Sequence, residues 1–230
     1  MTPPPADPHS QADNGSTRTV DRAFDLLTAV TESGSGASLS ELARATSLSP
    51  ATASRLLGTL VKRGLVRRDE QGTYRSGLRL MQLSALVLRG DPLYELAGPH
   101  LSELAEATNE TANLGVAVDE DRALYLRQVT GDHRVQTASW TGRTIPRDGT
   151  AMGAALAGRH EPHGYAVSRG ALEPDITAIA VPVRDYQDQI VAALSIIAPS
   201  YRTDESDVDS YGRLLVQHAA SLSSALGANG

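Results

Sequence analysis

The sequence predicts an α+β protein in two parts, an N-terminal winged helix-turn-helix followed by a linker helix and a larger unit built on an antiparallel sheet. Three observations predict it. Two helix starts follow one another closely, Ser38 with Glu41 in capping-box spacing and Ser49 with Pro50 directly behind it. A short basic hairpin comes next, with strands at 65–68 and 73–75 around a polar turn at 69–72. From Thr111 onward the apolar period changes from helical to alternating.

Taken in order, residues 1–16 hold four prolines among small polar residues and are expected to form a disordered tail. The winged domain is expected over 17–76. Its first helix starts at Thr19, buries Val20, Ala23, Phe24, Leu27 and Val30, and ends at Ser33-Gly34-Ser35-Gly36. The second runs from Ser38 to about Ala45. The third buries Ala53, Leu56, Leu57, Leu60 and Val61 and stops at Gly64. Residues 77–90 form the linker helix, which is apolar almost all round. It is expected to pack on its own winged domain and on the same helix of a second subunit.

The second domain is expected over 91–230. A helix capped by Asp91 runs to about Thr108 and is bent at Pro99. A hairpin of 111–118 with 123–129, a strand at 135–140, a short helix at 149–157 and paired strands at 176–183 and 190–197 follow. The last helix starts at Thr203, places Asp204, Glu205 and Asp207 at its positive end, and buries Tyr211, Leu214, Leu215, His218 and Leu222.

Charge divides along the same line. The 230 residues carry 21 Lys and Arg against 27 Asp and Glu, a net −6 that excludes a wholly basic nucleic-acid protein. The balance is +5 over 18–89 and −9 over 90–230, so the two parts are expected to meet different partners. The absence of cysteine excludes disulfides and thiolate metal sites. With no basic-then-apolar leader, and with the apolar run 190–198 interrupted by Ser195, a cytoplasmic chain that neither spans nor enters a membrane is expected.

These residues and their order resemble the IclR family of bacterial transcriptional regulators. In the first half the resemblance rests on 19–27, on Leu39-Ser40-Glu41-Leu42-Ala43, and on Arg55-Leu56-Leu57-Gly58-Thr59-Leu60 with Gly64-Leu65-Val66. In the second it rests on Gly142-Arg143-Thr144-Ile145-Pro146, Gly164-Tyr165-Ala166-Val167 and 191–196 with Pro199. It implies a GAF-like effector domain, binding to duplex operator DNA as a homodimer or homotetramer, and a small-molecule effector. The stretch between Gly158 and Gly164 is shorter than in most relatives. Residue by residue, the resemblance places the effector pocket at Ala151, Met152, Ser168, Ala178, Ser195 and Ile197. Met152, Ala178 and Ile197 are apolar where relatives that bind small keto acids are polar, which favours a small organic acid with a larger, aromatic or otherwise apolar body.

The residues support the same two sites. Ser49, Thr52, Ser54 and Arg55 open the third helix with short polar side chains and a guanidinium, the types that reach base edges or phosphates. Arg67, Arg68 and Arg75 suit phosphate contact from the wing, the alternative being a solvated strand face. The small residues over 149–153 offer the helix-start amides of 151–153 to a ligand carboxylate, and Arg143, Arg147 and Ser195 are expected to add charge or hydrogen bonds. Trp140 joins the candidates, its other reading being a core or interface residue. No nucleophile elbow, P-loop or dinucleotide fingerprint is present, so no enzyme and no cofactor is expected. In His160-Glu161-Pro162-His163 the proline breaks the helix that a metal pair would need. A repressor responsive to its ligand is the expected function. The other reading is a stand-alone metabolite-binding or hydrolytic protein whose front half only dimerises.

Overall fold

The computed structural model describes residues 16–133, 139–160 and 162–228. Residues 1–15 of the tail expected at 1–16, and most of the strand expected at 135–140, lie outside them, while Ser16 begins the first helix. The chain divides into two compact units, 1–88 and 89–230.

In the first unit, α1 (Ser16–Glu32), α2 (Leu39–Ala45) and α3 (Pro50–Lys62) pack around Leu26, Val30, Leu42, Leu57 and Leu60. Ser38 accepts from the Glu41 amide while Glu41 accepts from the Ser38 amide, a complete capping box that fixes the start of α2. Ser49 caps α3 through the Thr52 amide. Gly64, at φ +73°, adopts the left-handed conformation that ends α3 and admits the hairpin. That hairpin pairs β1 (Val66–Arg68) with β2 (Tyr74–Ser76), Arg67 opposite Arg75.

The buried face of α1 differs from the expected one. Leu26 is fully buried, whereas Val20 and Phe24 are 51% and 62% exposed. The core stripe runs through Ala23, Leu26, Leu27 and Val30, so two of the periodic apolar residues belong to a different, outward stripe. The linker helix α4 (Leu78–Arg89) also departs from expectation, since it buries no residue on its own winged domain. Leu78, Met81, Leu86 and Val87 are each more than half exposed.

Among the described residues, the second unit holds one antiparallel sheet of six strands, ordered β5-β4-β3-β8-β7-β6. They are β3 (Thr111–Ala117), β4 (Arg122–Val129), β5 (Thr144–Pro146), β6 (Ala166–Arg169), β7 (Ile176–Arg184) and β8 (Ile190–Pro199). The edge strands β5 and β6 were not anticipated. One face carries α5 (Pro92–Thr108) and α7 (Glu205–Ala225) over Leu114, Ile179, Leu194 and Ile196. α5 is assigned as one helix through Pro99. The other face carries the short α6 (Ala151–Leu156) over Tyr125, Ala180, Ala193 and Ile197. The N-cap of α7 is Asp204, not Thr203. Of its expected buried residues Leu215 and Leu222 are buried, while Tyr211, Leu214 and His218 are partly exposed; Val208, Gly212 and Ala219 complete the buried stripe.

Candidate DNA-binding face and ligand pocket

The helix-turn-helix buries Ala53, Leu56, Leu57 and Leu60 and turns the opposite side of α3 outward. Ser54 and Arg55 are exposed there, and no carboxylate engages Arg55 among the described residues. Ser49 and Thr52 are less free, since their hydroxyls lie 2.9 Å apart and the Ser49 oxygen also accepts the Thr52 amide. Their first role is to hold the start of α3.

The three wing arginines separate by environment. Arg67 is exposed and unpaired among the described residues. Arg68 donates to the Gly72 carbonyl at 3.3 Å, with its guanidinium 5.4 Å from the centre of the Tyr74 ring. Arg75 is committed to the fold, contrary to expectation. It pairs with Asp69 at 3.2 Å and donates to the Ser35 carbonyl, so it braces the wing instead of offering its charge. Asp69 accepts the Thr73 amide as well, which holds its carboxyl below the usual carboxylate range.

In the second unit, a pocket lies between α6 and its face of the sheet. Trp140, Ala151, Met152, Ser168, Ala178 and Ile197, six of the expected effector residues, line it together. Ser195 and Gly153 do not. Ser195 is buried, with its hydroxyl beside the Tyr125 phenol. A Cβ on Gly153 would meet the Arg147 carbonyl oxygen at 1.8 Å, so this glycine serves backbone packing. Arg147 itself donates to the Asp119 carbonyl and is not in the lining.

Two of the three amides expected to receive a carboxylate are already occupied. The Ala151 amide donates to Ser168 Oγ at 3.0 Å and the Gly153 amide to Thr150 Oγ1 at 3.1 Å. Thr150 passes its own proton to backbone carbonyls. Ser168 has no acceptor for its proton among the described residues, so its hydroxyl is an oriented donor at the pocket wall. Tyr125 also lines the pocket; burial pushes its phenol far above its ordinary value and keeps it protonated, while a hydrogen bond with the Ser195 side chain acts the other way.

Residues with little sequence signal complete the lining. Leu172 and Glu173 come from the β6–β7 loop and Ile176 from the start of β7. Tyr125 carried a signal, the alternation along β4. Trp140 is held by its amide, which donates to Gln128 at 2.9 Å, and by an edge-on contact with Tyr125. The Arg143 guanidinium lies 5.6 Å from the centre of its ring. The walls are therefore mostly apolar, with the Ser168 hydroxyl and the Tyr125 phenol among them, and Arg143 lies outside the lining.

Two family models match the chain, the IclR helix-turn-helix domain over 19–70 and the bacterial transcriptional regulator IclR C-terminal domain over 85–163 and 157–224. The HTH-type transcriptional regulator XynR of Escherichia coli is 26% identical, over 91% of this chain and 97% of its own. The transcriptional repressor IclR of Escherichia coli is 25% identical, covering 93% and 91%. Among solved structures, an IclR transcriptional regulator from Alicyclobacillus acidocaldarius superposes with TM-score 0.75 at 25% identity over 93% and 99% of the two chains. An IclR homologue from Microbacterium hydrocarbonoxydans, complexed with 4-hydroxybenzoate, superposes with TM-score 0.75 at 22% identity over 90% and 98%.

Proposed function

The chain belongs to the IclR family of bacterial transcriptional regulators, and on that premise we propose that it is an operator-binding repressor that responds to a small organic acid with an aromatic or similarly apolar body. The observation that carries the ligand reading is the pocket beside α6, where Met152, Ile176, Ala178 and Ile197 form an apolar wall and Ser168 and Tyr125 supply neutral donors. An acid places its body on that wall and its oxygens at the Ser168 hydroxyl, the phenol and the Met152 amide. Arg143 on Trp140 adds positive charge close by without burying a bare cation.

On the DNA side, Arg55 and Ser54 read base edges from α3 and Arg67 contacts phosphate, within the segment that carries the positive balance. The uncovered apolar residues of α4 favour a homodimer or a dimer of dimers, which presents recognition helices in pairs to a near-palindrome. The acid must bind the DNA-competent and DNA-incompetent states differently; a coupling of about 1 to 3 kcal/mol suffices for a switch.

Calorimetry on the full chain with a panel of benzoate-like and short keto acids tests this reading. Benzoate-like acids should bind best, and Ser168→Ala and Met152→Asp should each weaken the same ligand by about tenfold or more while ligand-free operator binding is kept. Tightest binding by the short keto acids, or an unaltered affinity in Met152→Asp, would overturn the pocket assignment.

A further inference from the structure

On the sheet face opposite the ligand pocket, α5 and α7 bring two histidines and a glutamate together. His100 and Glu103 are three residues apart on α5 and so share a face, while His218 comes from α7. His100 Nδ1 and His218 Nδ1 lie 3.0 Å apart, and His218 Nδ1 is 3.8 Å from a Glu103 carboxylate oxygen. All three ligand atoms fall within 4.8 Å of one another.

We propose that His100, Glu103 and His218 form a binding site for a divalent transition-metal ion, Zn2+ being the best match, that clips α5 to α7. Zinc bonded to nitrogen or oxygen at about 2.0–2.1 Å with tetrahedral angles sets its ligand atoms about 3.3 Å apart. The observed 3.0 and 3.8 Å separations bracket that spacing, and the third lies within 4.8 Å. The ligand set, two imidazoles and one carboxylate, suits zinc and leaves a fourth position for water. Without metal, one imidazole must donate its Nδ1 proton to the other; the ion takes the place of that proton and uses both lone pairs.

The surroundings agree with this. The two rings meet nearly edge to face, 5.3 Å between centres at 81°. The Glu103 side chain is 65% exposed, which leaves an entry path from solvent. The other histidine cluster differs, since His163 stacks on Tyr165 and Glu161 lies outside the described residues.

The test uses the full chain freed of metal by chelator and dialysis, then titrated with Zn2+ by calorimetry and with Co2+ by absorption. One equivalent per chain should bind, with Co2+ giving the intense visible bands of a tetrahedral site. His100→Ala and His218→Ala should weaken Zn2+ by about 100-fold and abolish those bands, Glu103→Gln should weaken it by about tenfold, and His163→Ala should change nothing. No uptake at micromolar Zn2+, or uptake unaltered in the His100 and His218 variants, would overturn the site. Should either histidine variant fail to fold, anomalous diffraction at the zinc edge from the unaltered protein decides. Density among the three side chains supports the proposal, and density elsewhere or none overturns it.

Discussion

The Met152 side chain lies directly against Gly115 of β3, where an added Cβ would meet its sulfur at 2.4 Å. Met152 also lines the pocket, so the missing side chain on β3 is what lets the thioether lie back against the sheet. Gly115→Ala should force Met152 to another rotamer and narrow the pocket. The overpacking should cost about 1 to 3 kcal/mol of stability. Affinity for the effector should fall by about tenfold or more in calorimetry, while ligand-free operator binding keeps its value. Unaltered ligand affinity would show that Met152 moves away from the pocket.

The arginines of the first unit should divide into three behaviours. Arg55→Ala removes an unpaired guanidinium from the outward side of α3 and should cost about 1 to 3 kcal/mol of operator binding together with sequence preference. Arg67→Ala should weaken binding to every duplex alike and lower the salt slope by about one. Arg75→Ala should lower the melting temperature, because it releases Asp69 and the Ser35 carbonyl from the wing. Titrations over several salt concentrations, with operator and unrelated duplexes, separate these outcomes. Equal loss of sequence preference in Arg55→Ala and Arg67→Ala would contradict the division.

How far the sequence foretold these features depends on how local their causes are. The starts of α2 and α3 were legible because Ser38, Glu41, Ser49 and Pro50 act within one helical turn. The buried face of α1 differs from its periodicity because periodicity marks apolar stripes without saying what covers them, and Phe24 shares a stripe that the fold leaves open. Strands β5 and β6 have three and four residues, too few to establish a period of two. The apolar character of Met152, Ala178 and Ile197 is legible in the sequence, but grouping them in one pocket rested on the family resemblance. That Ser168 occupies the Ala151 amide was not legible, since that bond joins β6 to α6 and has no signature in either segment.

The exposed apolar face of α4 leads to a prediction about assembly. Met81, Leu86 and Val87 are 65%, 55% and 71% exposed in a helix that buries none of its residues against the described ones. Contiguous apolar surface of this kind marks an interaction site. Leu86→Glu and Val87→Glu, each placing a charge in the expected interface, should destabilise the oligomer by about 2 kcal/mol or more. Analytical ultracentrifugation at micromolar concentration should show the unaltered chain as a dimer or tetramer and the variants shifted towards monomer. A monomeric unaltered chain would sink the prediction. Variants that assemble normally would place the interface elsewhere.

The start of α7 gives a stability change with a defined pH window. Asp204 Oδ1 accepts from the Ser206 hydroxyl at 2.7 Å and from the Ser206 and Asp207 amides at 2.8 and 3.0 Å. The Ser206 hydroxyl, then the Asp207 amide, hold its carboxyl below the ordinary 3.8, because all three bonds favour the ionised form. A carboxyl depressed in the folded state binds its proton more readily once the chain unfolds. The stability it supplies is therefore complete above about pH 4 and is lost as the pH falls through the folded value. Asp204→Asn keeps a capping oxygen but carries no charge at any pH. Its melting temperature should lie below that of the unaltered chain at pH 6, and the gap should close as the pH is lowered below 3.8. Calorimetric melts of both proteins at matched ionic strength from pH 6 to about pH 2.5 measure that gap. A constant gap across the range would mean that the Asp204 charge contributes nothing and that the cap acts through hydrogen-bond geometry alone.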